Sequence, residues 1–97
     1  MPAVTRLLDV CSGHPDWPSR PNNQGCSTVY VNNRPMHCNS HSYQSHCCIC
    51  GEHGCHSAVL SGGASRSYAE NLKIGRIGDA VSCGGNAASG SPNVFCE

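Results

Sequence analysis

The sequence predicts a mainly β protein of one domain, built from short hairpins in a repeated unit. The segment Gly25-Cys26-Ser27-Thr28-Val29-Tyr30-Val31-Asn32-Asn33 returns 38 residues later as Gly63-Ala64-Ser65-Arg66-Ser67-Tyr68-Ala69-Glu70-Asn71, and in shortened form as Gly90-Ser91-Pro92-Asn93-Val94-Phe95-Cys96-Glu97. Each copy reads as a glycine turn followed by a short strand. Gly, Ser, Asn and Pro interrupt the chain every few residues, and no apolar positions recur at helical spacing over more than two turns, which leaves little room for helix. Short alternating runs are present instead: Val29 and Val31 against Tyr30 and Asn32, then Ile74 and Ile77 after the second glycine block.

Aligning the copies places Arg76-Ile77-Gly78-Asp79 opposite Cys38-Asn39-Ser40-His41 and opposite Arg6-Leu7-Leu8-Asp9, so three strand ends finish in polar turn residues. The chain starts inside a repeat, at the part ending in Asp9, and stops inside another at Glu97. Together these pieces complete a third copy. The first and last strands are therefore expected to pair and close a three-sided object without exposed sheet edges.

The interruptions carry metal-type ligands. His14, His46 and Cys83 follow Asp9, His41 and Asp79 by five, five and four residues. Three repeat ends meeting at one point would bring them together. His56 supplies the fourth position, because it stands where Cys83 stands relative to the next glycine block, with His53 as its substitute. Zinc takes four Cys and His donors in tetrahedral geometry, so the expected set is His14, His46, His56 and Cys83. His41 occupies the place where the other copies carry Asp and is expected to hold a turn or to make a contact supporting a metal ligand; His37, next to Cys38, has no assigned role. A competing set is Cys47, Cys50 and Cys55 with His53 or His56, half of a zinc-knuckle pattern that would make the chain a small interaction module.

Composition bounds the function. A single Phe, a single Trp and 12% charged residues give 97 residues little core, so residues 1–97 are expected to form one stapled domain. The staple candidates are nine Cys and six His. The first residues hold no apolar run of signal-peptide length, so a reducing compartment is expected, where cysteines are more often ligands, small buried residues or free thiols than disulfides. A secreted, disulfide-rich effector is the contrary reading. The formal charge is zero and no basic stripe exists, which argues against nucleic acid as a partner. The carboxylates Asp9, Asp16, Glu52, Glu70, Asp79 and Glu97 are scattered, so no enzymatic pair is expected. Trp17, in a Pro- and Asn-rich loop, is expected to pack locally.

Cys11-Ser12-Gly13-His14, Arg20-Pro21-Asn22, Gly25 to Asn33 with Pro35 and His37, His46-Cys47-Cys48, Cys55-His56, Arg76 to Asp79, Val81-Ser82-Cys83-Gly84 and Gly90 to Phe95 together resemble the PAAR-repeat proteins. These tip the spikes of contractile phage tails and of bacterial type VI secretion, and stand-alone phage-tail members are the most similar in size. The resemblance implies a small conical β fold with pseudo-threefold repeats and a metal at its apex, zinc or alternatively iron, on three His and one Cys. By motif these are His14, His46, His56 and Cys83, the set reached from spacing. It further implies one tip per trimeric β-helical spike protein, docked by a base that includes Val4, Val29, Val94 and Phe95. The setting would be a virion baseplate assembled in a bacterial cytoplasm, or a secretion apparatus, with brief contact to a target cell envelope. The sequence departs from the pattern at Cys38-Asn39-Ser40-His41, where Arg-x-Gly-Asp is usual, and at Arg66 to Glu70, where apolar alternation is missing.

Overall fold

A computed structural model of the chain describes residues 2–13, 18–47 and 55–97, and of His46 and Cys47 only the backbone. Its described elements are β1 (Tyr30–Val31), β2 (Arg34–Pro35), β3 (Ser42–Cys47), β4 (Cys55–Val59), β5 (Tyr68–Ala69) and β6 (Leu72–Lys73), with no helix among the described residues. They pair as three antiparallel hairpins, β1–β2, β3–β4 and β5–β6. The chain is therefore mainly β, in a body 39 × 24 × 22 Å across. The expected packing of Trp17 lies outside the described residues.

The two glycine-block copies fold alike. In β1–β2 the turn residues Asn32 and Asn33 sit at φ 53 and 66, and in β5–β6 Glu70 and Asn71 sit at φ 51 and 67. Two left-handed residues in a row make the two-residue turn whose twist matches that of the flanking strands. Tyr30 pairs with Pro35 and Tyr68 with Lys73, so alternation turns both tyrosines outward and buries Val31 and Ala69. The copy from Arg66 to Glu70, poor in apolar residues, gains support from its turn. The Glu70 carboxylate accepts hydrogen bonds from the backbone N–H and hydroxyl of Thr28, which hold it below the usual carboxylate range. Asn32 is placed similarly, accepting a 2.6 Å bond from the Ser91 hydroxyl.

The third copy is assembled from both ends of the sequence. Ala3 bridges Phe95 antiparallel, Val4 N–H donates to Val94 O at 3.0 Å and Cys96 N–H to Pro2 O at 3.0 Å. The pairing of first and last strands is thus present. The same bond recurs as Met36 N–H to Val29 O and Ile74 N–H to Ser67 O.

At the centre the three copies bond in a ring. Thr5 N–H donates to Gly75 O (2.9 Å), Gly75 N–H to His37 O (3.0 Å) and His37 N–H to Thr5 O (3.0 Å). The bridges Val4 to Arg76, Arg6 to Met36 and Cys38 to Ile74 run around the same circuit. Little room remains inside. A Cβ on Gly75 would lie 2.5 Å from both Leu60 Cδ2 and Thr5 Oγ1, which is why that position is glycine.

Just beyond the ring each copy makes one four-residue turn. Arg6 and Arg76 N–H donate to the carboxylates of Asp9 and Asp79, each at 2.8 Å, and Cys38 N–H donates to His41 Nδ1 at 2.9 Å. The third residue of each turn, Leu8, Ser40 or Gly78, has φ between 74 and 94. His41 holds its turn as expected, its ring nitrogen standing in for the carboxylate oxygen. In the other two turns the guanidinium also grips the carboxylate, at 2.9 Å in both, and Arg6 and Arg76 reach across to the carbonyls of Gly90 and Gly63.

The buried residues form two clusters. One holds Val4, Cys26, Val31, Met36, Cys38, Ala64, Ala69 and Cys96; the other holds Cys11, Tyr43, Ala58, Leu60, Val81 and Ala87. One expectation is corrected. Val4 belongs to the first cluster and not to a docking base, because its backbone closes the third copy from inside. Ile77, the second residue of its turn, is exposed.

His37 lies at the centre, fully buried. Its Nδ1 is 2.8 Å from Gln24 O, so that nitrogen carries the hydrogen, and Nε2 is a buried acceptor with no partner among the described residues. The ring meets Tyr43 edge-on at 5.0 Å. Burial pulls His37 down to about 4 and also lowers His41. Both histidines bind a proton more readily in the unfolded chain, so stability is full above pH ~6.5 and falls as the pH drops toward 4. A shift of this size in His37 amounts to about 3 kcal/mol lost by the low end of that window. Urea midpoints measured from pH 7.5 to 4.5 should fall, and His37→Gln should flatten the slope.

Candidate metal centre

Below the turns, three chain segments run past the second cluster. Cys11, Tyr43 and Val81 are buried there and bridge Ala87, Asn22 and Leu60 respectively. The segments then continue toward the residues expected to bind metal.

In β3–β4 the register changes by one residue between Tyr43 and His46: Tyr43 faces Ala58, whereas His46 faces His56. This bulge places one extra residue in β3 between Tyr43 and His46. It also pairs the backbones of two of the four expected ligands, His46 and His56.

Cys83 is half-buried against the second cluster. Its turn is closed by Gly84 N–H to Val81 O (2.9 Å) and Val81 N–H to Gly85 O (2.8 Å), with Gly84 at φ 107. The turn is fastened to β4: Ser82 N–H donates to Val59 O and Val59 N–H to Ser82 Oγ. On its other side Ser12 N–H donates to Asn86 O at 2.7 Å and Asn86 N–H to Ser12 Oγ at 2.9 Å. Gly13 is packed so closely that a Cβ on Gly85 would fall 2.7 Å from its carbonyl oxygen.

The four expected ligands therefore stand as follows. His56 is half-buried on β4 and Cys83 is on the adjoining turn. The backbone of His46 is paired with His56, and His14, next after Gly13, lies outside the described residues. Among the described residues no three His, Cys, Asp or Glu side chains gather as a metal-binding group; of the expected set only His56 and Cys83 have described side chains. The donor chemistry, three imidazoles and one thiolate, suits zinc.

For the competing knuckle, Cys50 and His53 lie outside the described residues, and Cys55 is held in a disulfide. That bond removes Cys55 as a thiolate donor. Cys11, Cys26, Cys38, Cys83 and Cys96 are free thiols. The acidic residues resolved near the turns are occupied structurally, Asp9 and Asp79 by arginine and Glu70 by Thr28.

A second group of residues was not singled out from the sequence as a set. Tyr30, Tyr68 and Phe95 occupy equivalent places in the three copies and are 58%, 58% and 49% exposed, while the next residues, Val31, Ala69 and Cys96, are buried. The aligned copies already carry the signal, an aromatic at one register followed by a smaller apolar residue. Of the other residues expected at a base, Val94 is exposed and Val29 half-buried.

At this level the fold and site define a mainly β protein with three linked copies of one hairpin unit. No protein-family model matches the chain, and no curated protein matches it.

If the segments are tied by metal, His56→Ala and Cys83→Ser should each lower the zinc content of purified protein several-fold by elemental analysis. Cys96→Ser, in the other cluster, should leave it unchanged.

Proposed function

We propose that this chain is a non-enzymatic, metal-stabilised tip of the PAAR type, seated on a trimeric β-helical spike of a contractile injection machine. The observation that carries the reading is the ring of Thr5, His37 and Gly75 together with Tyr30, Tyr68 and Phe95. One chain bonded in three equivalent ways presents the same apolar group three times, and a threefold partner needs that from a single copy.

In this reading the fold is a pseudo-threefold cone. The exposed aromatics and Val94 belong to its base, and His14, His46, His56 and Cys83 hold one zinc or iron ion at the point. Metal bound at chain ends this short adds its binding free energy to that of folding, and a point so tied would resist being forced through a target envelope. The protein's own residues contribute stiffness: the bidentate Arg6–Asp9 and Arg76–Asp79 pairs, the His41 turn, and hairpin tips fastened to neighbouring segments. The location would be a phage baseplate or a type VI apparatus. The alternative, a zinc knuckle on Cys47, Cys50, Cys55 and His53, is disfavoured by the disulfide at Cys55.

Co-purification with a trimeric β-helical spike protein tests the docking. The expected result is one copy per three spike chains. Tyr30→Ser combined with Phe95→Ser should weaken binding at least about tenfold, as expected where aromatic anchors are lost, with little change in melting temperature because both side chains are exposed. Undiminished binding by that variant would remove the aromatic triad from the interface.

A further inference from the structure

Cys26 and Cys38 are fully buried thiols whose sulfurs lie 3.6 Å apart. Their place in the repeat gives the contact meaning. In two copies the first turn residue is an arginine that reaches the carbonyl of a glycine: Arg6 to Gly90 and Arg76 to Gly63. In the remaining copy that residue is Cys38, the corresponding glycine is Gly25, and Cys26 is the next residue. The cysteine pair thus spans the same junction that arginine spans elsewhere. Ala64 and Ser91, at the positions equivalent to Cys26 in the other two copies, have no thiol to offer.

We propose that Cys26 and Cys38 form a disulfide that staples this junction, in place of the arginine contact of the other two copies. Closing the bond needs the sulfurs to approach from 3.6 Å to about 2.05 Å, a movement that side-chain rotation and a small backbone shift supply. The oxidant is a small-molecule disulfide. One cysteine, as thiolate, attacks a sulfur of that donor, breaking its S–S bond, releasing one thiol and leaving a mixed disulfide. The second cysteine, after losing its proton, attacks the protein sulfur of the mixed disulfide and expels the second thiol. Two protein thiols are oxidised and one donor disulfide is reduced to two thiols.

Burial sets when this happens. It raises both thiols, Cys38 to about 12, so the closed, reduced core holds little thiolate and admits no donor. The bond therefore forms as the chain folds, before the first cluster closes. A chain that folds reduced keeps the pair as inert thiols.

The test refolds the full chain from the reduced, unfolded state in a mixture of oxidised and reduced glutathione. Remaining thiols are then alkylated at low pH and the protein is digested with chymotrypsin. Cleavage after Tyr30 and Tyr43 separates Cys26 from Cys38, and both from Cys47, Cys48, Cys50 and Cys55. The expected product is a peptide pair linked through Cys26 and Cys38. The linked protein should also melt roughly 5 °C or more above the same chain refolded without oxidant and above Cys26→Ala refolded with it. Ala64 fills the equivalent position in another copy, so that variant retains a tolerated side chain. Should the variant not fold, the peptide map of the unaltered chain decides alone. Recovery of Cys26 and Cys38 as alkylated thiols, or linked to other cysteines, would overturn the proposal.

Discussion

The structure depends on a ring of three backbone hydrogen bonds joining Thr5, His37 and Gly75. Each copy contributes only a two-residue hairpin arm and a turn, and a lone hairpin of that size is marginal in water. Bonding in a circle gives every copy two neighbours and no free edge at this level. The ring also fixes what the interior can hold. One copy contributes a histidine, another threonine and the third glycine, because a Cβ at Gly75 would collide with Leu60 and Thr5. The cost is a fully buried imidazole whose Nε2 has no partner among the described residues, and its burial makes the centre sensitive to acid.

The same circuit repeats its side-chain devices with substitutions that conserve the job. Asp9 and Asp79 accept the N–H that opens their turns, and His41 does so through Nδ1. Arg6 and Arg76 bridge to a glycine carbonyl where Cys38 meets Cys26. The departures at Cys38 to His41 are therefore chemically different answers to one geometric requirement. A thiol pair or an imidazole carries less charge into a small core than an Arg–Asp pair does, which suits the copy that also places His37 at the centre.

Much of the fold could be read from residue order because the repeats share glycine blocks and turn positions. Pairing Met1 to Asp9 with Gly90 to Glu97 as one copy predicted that the first and last strands meet, as the bridge of Ala3 to Phe95 does, and the Asp position shared with His41 predicted its turn. Other features depended on information that alternation does not carry. Val4 has the composition of a surface anchor, yet its backbone closes the third copy and buries it. The Arg66 to Glu70 copy looked weak by apolar content, but left-handed turn residues and the Glu70 to Thr28 bonds decide its form. The bulge that aligns His46 with His56 was not legible in the spacing, because His46 follows His41 by the same five residues that separate His14 from Asp9, and it required the register. The disulfide at Cys55 could not be deduced by counting nine cysteines.

The proposed function requires the three segments leaving the ring to converge on one metal ion. Crystallographic data collected at the zinc absorption edge test this most directly. A single anomalous peak about 2.0–2.3 Å from donor atoms of His14, His46, His56 and Cys83 is the predicted result. A peak at Cys47, Cys50 and His53, or none at the zinc or iron edges in protein purified without chelator, would contradict it.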